Sequence, residues 1–101
     1  MQILALRTLK AFWEKHPQAE RPLREWYALA SKAHWLTPQD IKNEFGRNVD
    51  FLADNRCIFD IGSNKYRLIT YNAYAFGYIY VKFVGTHAEY DKIDAGTIDE
   101  H

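Results

Sequence analysis

Cysteine is almost missing from this chain. Cys57 stands alone among 101 residues, so no internal disulfide forms. Glycine (5) and proline (3) are also sparse, while three Trp, seven Tyr and six Phe are present, which excludes a disordered or low-complexity polypeptide. No apolar run approaches the roughly 18–20 residues needed to cross a bilayer. Trp13 and Glu14 stand where a secretory leader is uniformly apolar. With neither leader nor disulfide, the expected compartment is the cytoplasm. Net charge is missing too: 13 Lys+Arg balance 13 Asp+Glu, which excludes a strongly basic surface tracking many phosphates.

What is present is a hydrophobic fraction of 48%, enough for one core and too short a chain for two. The charges are unevenly placed. No acid occurs from Ile61 through Ala88, where Lys65, Arg67, Lys82 and His87 fall, whereas five acids accompany only Lys92 from Glu89 onward. A local basic site beside an acidic tail is therefore expected.

The first third reads as helix. After a short strand at residues 1–3, Leu6, Leu9, Trp13 and His16 keep helical spacing until Pro17. A second helix from about Arg21 carries the stripe Leu23, Trp26, Tyr27, Ala30, Ala33. Thr37-Pro38-Gln39-Asp40 has the form of an N-cap opening a third helix that Gly46 ends. From Val49 the pattern becomes strands, at 49–53, 56–61, 65–74 and 77–86, separated by turn residues. Helices followed by consecutive antiparallel strands predict an α+β domain, with helices on one face of a small sheet. In the last strand, alternation assigns Ile79, Val81 and Phe83 to the helix side and Tyr78, Tyr80, Lys82 and Val84 to the other.

Lys65 and Arg67 share a strand face by period two, with Ile69 and Tyr71. If Lys82 joins that face, the cations meet His87 and Tyr90, which follow the same strand. Arg and Lys stabilise charge on a phosphate, and His and Tyr move protons. Such a set suffices for RNA cleavage by its own 2′-hydroxyl. Register decides the matter. A two-residue turn at Ala75-Phe76 sets Ile69 opposite Lys82 and joins the cations; a three-residue turn with a bulge at Gly77 puts Lys82 on the face of Tyr66 and Leu68.

Each residue also has a plain reading. Lys65 and Lys92 beside turns are ordinary solvated charges, Arg67 a solubilising residue of an edge strand, His87 a helix cap, and Tyr90 a packing residue. Trp13, Trp26 and Trp35 read as core. His16 and His34 fit helix ends, where charge meets the dipole. Four scattered histidines and one cysteine have no metal-ligand spacing, no phosphate loop or serine elbow is present, and no cofactor is expected.

The segments Asn64-Lys65-Tyr66-Arg67-Leu68 and Phe83-Val84-Gly85-Thr86-His87-Ala88-Glu89-Tyr90-Asp91-Lys92 are more specific. They resemble the HigB family of type II toxins, within the RelE-like superfamily of ribosome-associated mRNA interferases. Phe12-Trp13-Glu14-Lys15-His16-Pro17 and Phe51-Leu52-Ala53-Asp54-Asn55-Arg56 are similar to the same family. The resemblance covers about residues 1–93 as a single toxin domain and leaves 94–101 as an acidic, flexible tail.

The resemblance implies a RelE-like fold with a short C-terminal helix, and a metal-independent endoribonuclease that cuts mRNA on the translating ribosome. It also implies inhibition by a HigA-type antitoxin with a helix-turn-helix domain, contact with DNA only through that antitoxin, and no membrane. Arg67, Lys82, His87 and Tyr90 match the catalytic positions, and Asn64, Lys65 and Lys92 the RNA-binding ones. Which of His87 and Tyr90 is acid and which is base stays open. Two positions depart from the family: Ser63 replaces the second glycine of a Gly-Gly-Asn turn, and Lys82 replaces an arginine, keeping the charge and losing the bidentate fork. Two other readings remain: a toxin on the same scaffold with another target, as ParE-type gyrase inhibitors have, and a non-catalytic RNA- or protein-binding module. Tyr71, Tyr78 and Tyr80 either pack within the sheet or stack on the bases of free single strands.

Overall fold

Leu9, Phe12 and Trp13 recur at intervals of three and four, and all three are buried on one side of the first helix. The computed structural model describes residues 1–99. Its elements are β1 (Gln2–Leu4), α1 (Leu6–Lys15), α2 (Glu20–Lys32), α3 (Pro38–Phe45), β2 (Val49–Leu52), β3 (Arg56–Ile61), β4 (Tyr66–Ala73), β5 (Tyr78–Thr86) and α4 (His87–Tyr90). In α2, Leu23, Trp26 and Ala30 are the buried stripe.

Helix α3 starts where the sequence signals it. Thr37 Oγ1 accepts from the Asp40 amide at 3.3 Å, and Asp40 Oδ2 accepts from the amides of Thr37 (3.1 Å) and Leu36 (2.8 Å). This reciprocal cap satisfies amides that the first turn leaves free. Thr37→Ala is expected to cost about 1 kcal/mol, read as a lower urea midpoint at unchanged slope.

The five strands run in the order β1-β5-β4-β3-β2. Strands β2 to β5 are antiparallel neighbours, as expected, and the N-terminal strand pairs with β5 in parallel, so the complete sheet is mixed. One face packs on α1–α3 through Cys57, Phe59, Leu68, Ile79 and Val84. Trp26, Phe59, Phe45 and Trp35 meet there edge-on, with successive ring centroids 5.4, 4.9 and 5.8 Å apart, the geometry that aromatic quadrupoles favour.

The last strand breaks its alternation. Thr70 pairs with Val81 and Ile69 with Phe83, so Lys82 is an extra residue in a bulge. Ile79 and Val81 pack toward the helices as expected. Phe83 does not: it joins Ile58 and Ile69 on the opposite face, and Val84 takes the helix side in its place.

Candidate functional site

The face turned away from α1–α3 carries Arg56, Ile58 and Asp60 of β3, and Arg67, Ile69 and Tyr71 of β4, by strand alternation. Arg67 is only 8% exposed. Its Nε lies 3.2 Å from Asp60 Oδ1 on the neighbouring strand, and Nη1 donates to the carbonyls of Asn64 (3.1 Å) and Tyr66 (3.3 Å). The remaining nitrogen, Nη2, makes no hydrogen bond among the described residues. Arg67 is thus not a solubilising edge residue: β4 is an interior strand, and this guanidinium is oriented by its own chain.

Lys82 reaches the same face as Arg67, by neither of the two expected turns. The connection spans Tyr74–Gly77, with a 3₁₀ turn at Tyr74–Phe76 and Gly77 at φ 73°, and the bulge then absorbs the added length. The Lys82 ammonium sits 5.8 Å from the centroid of Tyr80, which in turn contacts Tyr71 at 6.0 Å. It also pairs with Asp99 at 3.0 Å, which holds that exposed carboxyl below its usual pKa.

The motif after β5 has a structural explanation. A β-carbon at Gly85 would lie 2.5 Å from the Phe83 ring and 3.1 Å from Glu89 Oε1, so only glycine fits between them. Thr86 Oγ1 accepts from the Glu89 amide (3.2 Å), and Glu89 Oε1 accepts from the Thr86 amide (2.8 Å). This second capping box fixes the single turn that presents His87 and Tyr90. The His87 amide also donates to the Lys65 carbonyl at 3.2 Å, tying α4 to the start of β4. The Tyr90 ring lies 5.7 Å from the Arg67 guanidinium carbon. His87 Nδ1 faces Asp91 Oδ2 at 3.2 Å, which leaves Nε2 outward.

Arg67 and Tyr90 therefore meet at one end of the face, His87 stands on the same capped turn as Tyr90, and Lys82 lies further along the face. Asn64 and Lys65 project at the exposed turn preceding β4, where Ser63 adopts φ 55° without glycine's freedom. Asn64 lines an open polar cleft of about 580 Å³ with Arg47, Asn48, Asp60 and Ser63, beside the Arg67–Asp60 pair. Lys92 is exposed past α4. Tyr71, Tyr78 and Tyr80 form a half-buried ring cluster at the far end.

Three contacts of the candidate site escaped the sequence reading. Asp60 and Asp91 orient Arg67 and His87; Asp60 needs a register to be paired, whereas Asp91 at i+4 from His87 was available in principle. Arg56 donates to the carbonyls of Ala95 and Ile98. Those residues belong to the segment expected as a tail; Ile93, Ala95 and Ile98 pack on Ile58, Ile69 and Phe83, while Glu100 and His101 lie outside the described residues. Cys57 is buried on the helix side, and burial outweighs its hydrogen bonds to raise the thiol pKa to about 11, so it is a packed, protonated residue. Among the described residues no three His, Cys, Asp or Glu side chains converge as metal ligands do.

Comparison with known proteins gives the chain a family. Residues 19–93 match the sequence model of the HigB toxin family, described as the RelE-like toxic component of a toxin–antitoxin system. The chain is 27% identical over 94 residues to the mRNA interferase HigB of Escherichia coli O6:H1, covering 92% of this chain and 91% of that protein. It is also 27% identical over 92 residues to the mRNA interferase toxin HigB of Escherichia coli K12 and to mRNA interferase HigB of Shigella flexneri, covering 90% of this chain and 88% of each. A family match across three quarters of the chain, carrying the motif that builds α4, places the protein in the HigB family of RelE-like toxins.

Proposed function

We propose that this protein is the toxin of a type II toxin–antitoxin system, a cytoplasmic, metal-independent endoribonuclease that cleaves mRNA on the translating ribosome. The observation that carries the proposal is a buried, oriented guanidinium with the Tyr90 ring 5.7 Å from it, on a capped turn that also bears His87. Relatives named mRNA interferases support it. A HigA-type helix-turn-helix antitoxin is the proposed inhibitor, and DNA is met only through that complex.

In the proposed reaction a base takes the 2′-hydroxyl proton, the 2′ oxygen bonds to phosphorus, and the bond from phosphorus to the 5′ oxygen breaks as that oxygen accepts a proton. Arg67 Nη2, the donor left unpartnered, faces the phosphorane with Lys82 providing a second positive charge. Asp91 on Nδ1 keeps the His87 proton there and leaves Nε2 to accept one, an arrangement suited to the base. Tyr90 is then the acid, and Asn64, Lys65 and Lys92 hold flanking nucleotides. Zero net charge gives little purchase on free RNA, so the ribosome supplies the positioning.

One observation favours a second reading on substrate form. The half-buried rings of Tyr71, Tyr78 and Tyr80 adjoin Lys82, and each stacked base would add about 1–3 kcal/mol for free single strands. Both are tested by following one transcript, free and in a translating extract at physiological salt, and identifying the new ends. Faster cleavage under translation is expected, with a 2′,3′-cyclic phosphate or its 3′-phosphate hydrolysis product. Equal rates transfer the argument to the tyrosines; a 3′-hydroxyl end eliminates 2′-hydroxyl attack.

A further inference from the structure

The cation-bearing face is partly covered by the chain itself. Beyond α4, residues 94–99 run across Ile58, Ile69 and Phe83, and their contacts fall on the two cations outside the Arg67 end. Arg56 Nη1 donates to the Ala95 and Ile98 carbonyls, and Lys82 pairs with Asp99. Carbonyl and carboxylate oxygens thus stand where phosphate oxygens would be received.

We propose that residues 94–99 are a displaceable strap, and that Arg56 and Lys82 beneath it are a phosphate-binding pair that RNA engages when the strap lifts. The proposal rests on the nuclease reading above and adds to it a binding residue, Arg56, and an internal competitor. The strap is held lightly. It forms turns and no strand ladder, Asp94, Gly96, Thr97 and Asp99 are exposed, and Ala95 and Ile98 are only partly buried. Asp99 is 82% exposed, and such a pair is weak and screened by salt. Segments with few apolar contacts and solvent-facing backbone open well before the whole fold does. The sheet beneath is different: Ile58, Ile69 and Phe83 are buried, so removing the strap outright would bare apolar surface, and a truncated chain would be a poor test.

The test uses the full chain and a short 2′-O-methyl RNA, which cannot be cleaved, followed by fluorescence anisotropy at fixed ionic strength. Asp99→Asn removes the carboxylate from an exposed position, and Ile98→Ser weakens the apolar anchor. Glu14→Gln, on the exposed side of α1, makes the same change in net charge away from the face and is the control. Asp99→Asn should bind about two- to fivefold tighter than Glu14→Gln, the range that an exposed ion pair supports, and Ile98→Ser should also bind tighter. In wild-type protein, amide exchange across 94–99 should accelerate when RNA is added. Binding in both variants no tighter than the control, or amides of 94–99 that become more protected with RNA, would overturn the strap while leaving the nuclease reading intact. RNA that binds neither wild type nor variants also overturns the strap, whereas the nuclease reading stands or falls on cleavage in the translating extract.

Discussion

Arg67→Ala is expected to lower RNA cleavage by about 10²–10³-fold, the usual loss when one preorganised donor to a developing charge is removed. It is also expected to cost about 1–3 kcal/mol of stability, because Asp60 keeps its place in β3 without its partner. The sequence alone suggests a dispensable strand cation; the structure shows a guanidinium tied to Asp60, Asn64 and Tyr66. Activity must therefore be normalised to the folded fraction, from circular dichroism and urea unfolding. Asp60→Asn is the control, since it disrupts the same pair while leaving the guanidinium in place. Cleavage should follow Arg67 and survive in Asp60→Asn, whereas stability should fall in both. A folded Arg67→Ala protein cutting at the wild-type rate would remove Arg67 from the mechanism.

The helical half of the fold was legible because burial there repeats with a simple period. Leu9 and Trp13, then Leu23, Trp26 and Ala30, are read directly as stripes, and Thr37 and Asp40 announce a helix start whose hydrogen bonds are local. The antiparallel strands were legible from their turns. What failed was anything depending on a count of residues across a hairpin. The bulge at Lys82 reverses every later side chain of β5, and no local property of Val81-Lys82-Phe83 reveals it. Phe83 was therefore placed on the wrong face, and Lys82 reached the right one by a route that the residues do not disclose.

The site was legible where its residues form one short motif and obscure where they meet across strands. Thr86, His87, Glu89 and Tyr90 belong to a single turn, so their geometry is encoded locally. Arg56 looks like any charge opening a strand until the chain returns 39 residues later to place Ala95 on it. The strap itself is disguised by composition. Ile93, Ala95 and Ile98 are few among acids, and their common direction comes from turns at Asp94 rather than from any helical or strand period.

His87→Gln and Tyr90→Phe should each reduce cleavage by about 10²–10⁴-fold, the range for losing a positioned proton-transfer group, with little change in stability. His87 is exposed and its side chain pairs with Asp91 on the same turn; Tyr90→Phe retains the ring against Arg67 and deletes one hydroxyl. The two variants differ in what should rescue them. A substrate whose 5′-bridging oxygen is replaced by sulfur leaves without needing a proton, so it should restore much of the rate to the variant lacking the acid and none to the variant lacking the base. With Asp91 holding Nδ1 and leaving Nε2 free, rescue is expected in Tyr90→Phe and not in His87→Gln. Rescue of His87→Gln alone would exchange the two roles. If both variants, verified as folded, cut the ordinary substrate at the wild-type rate, neither group transfers a proton and the capped turn serves only to carry Tyr90 to Arg67.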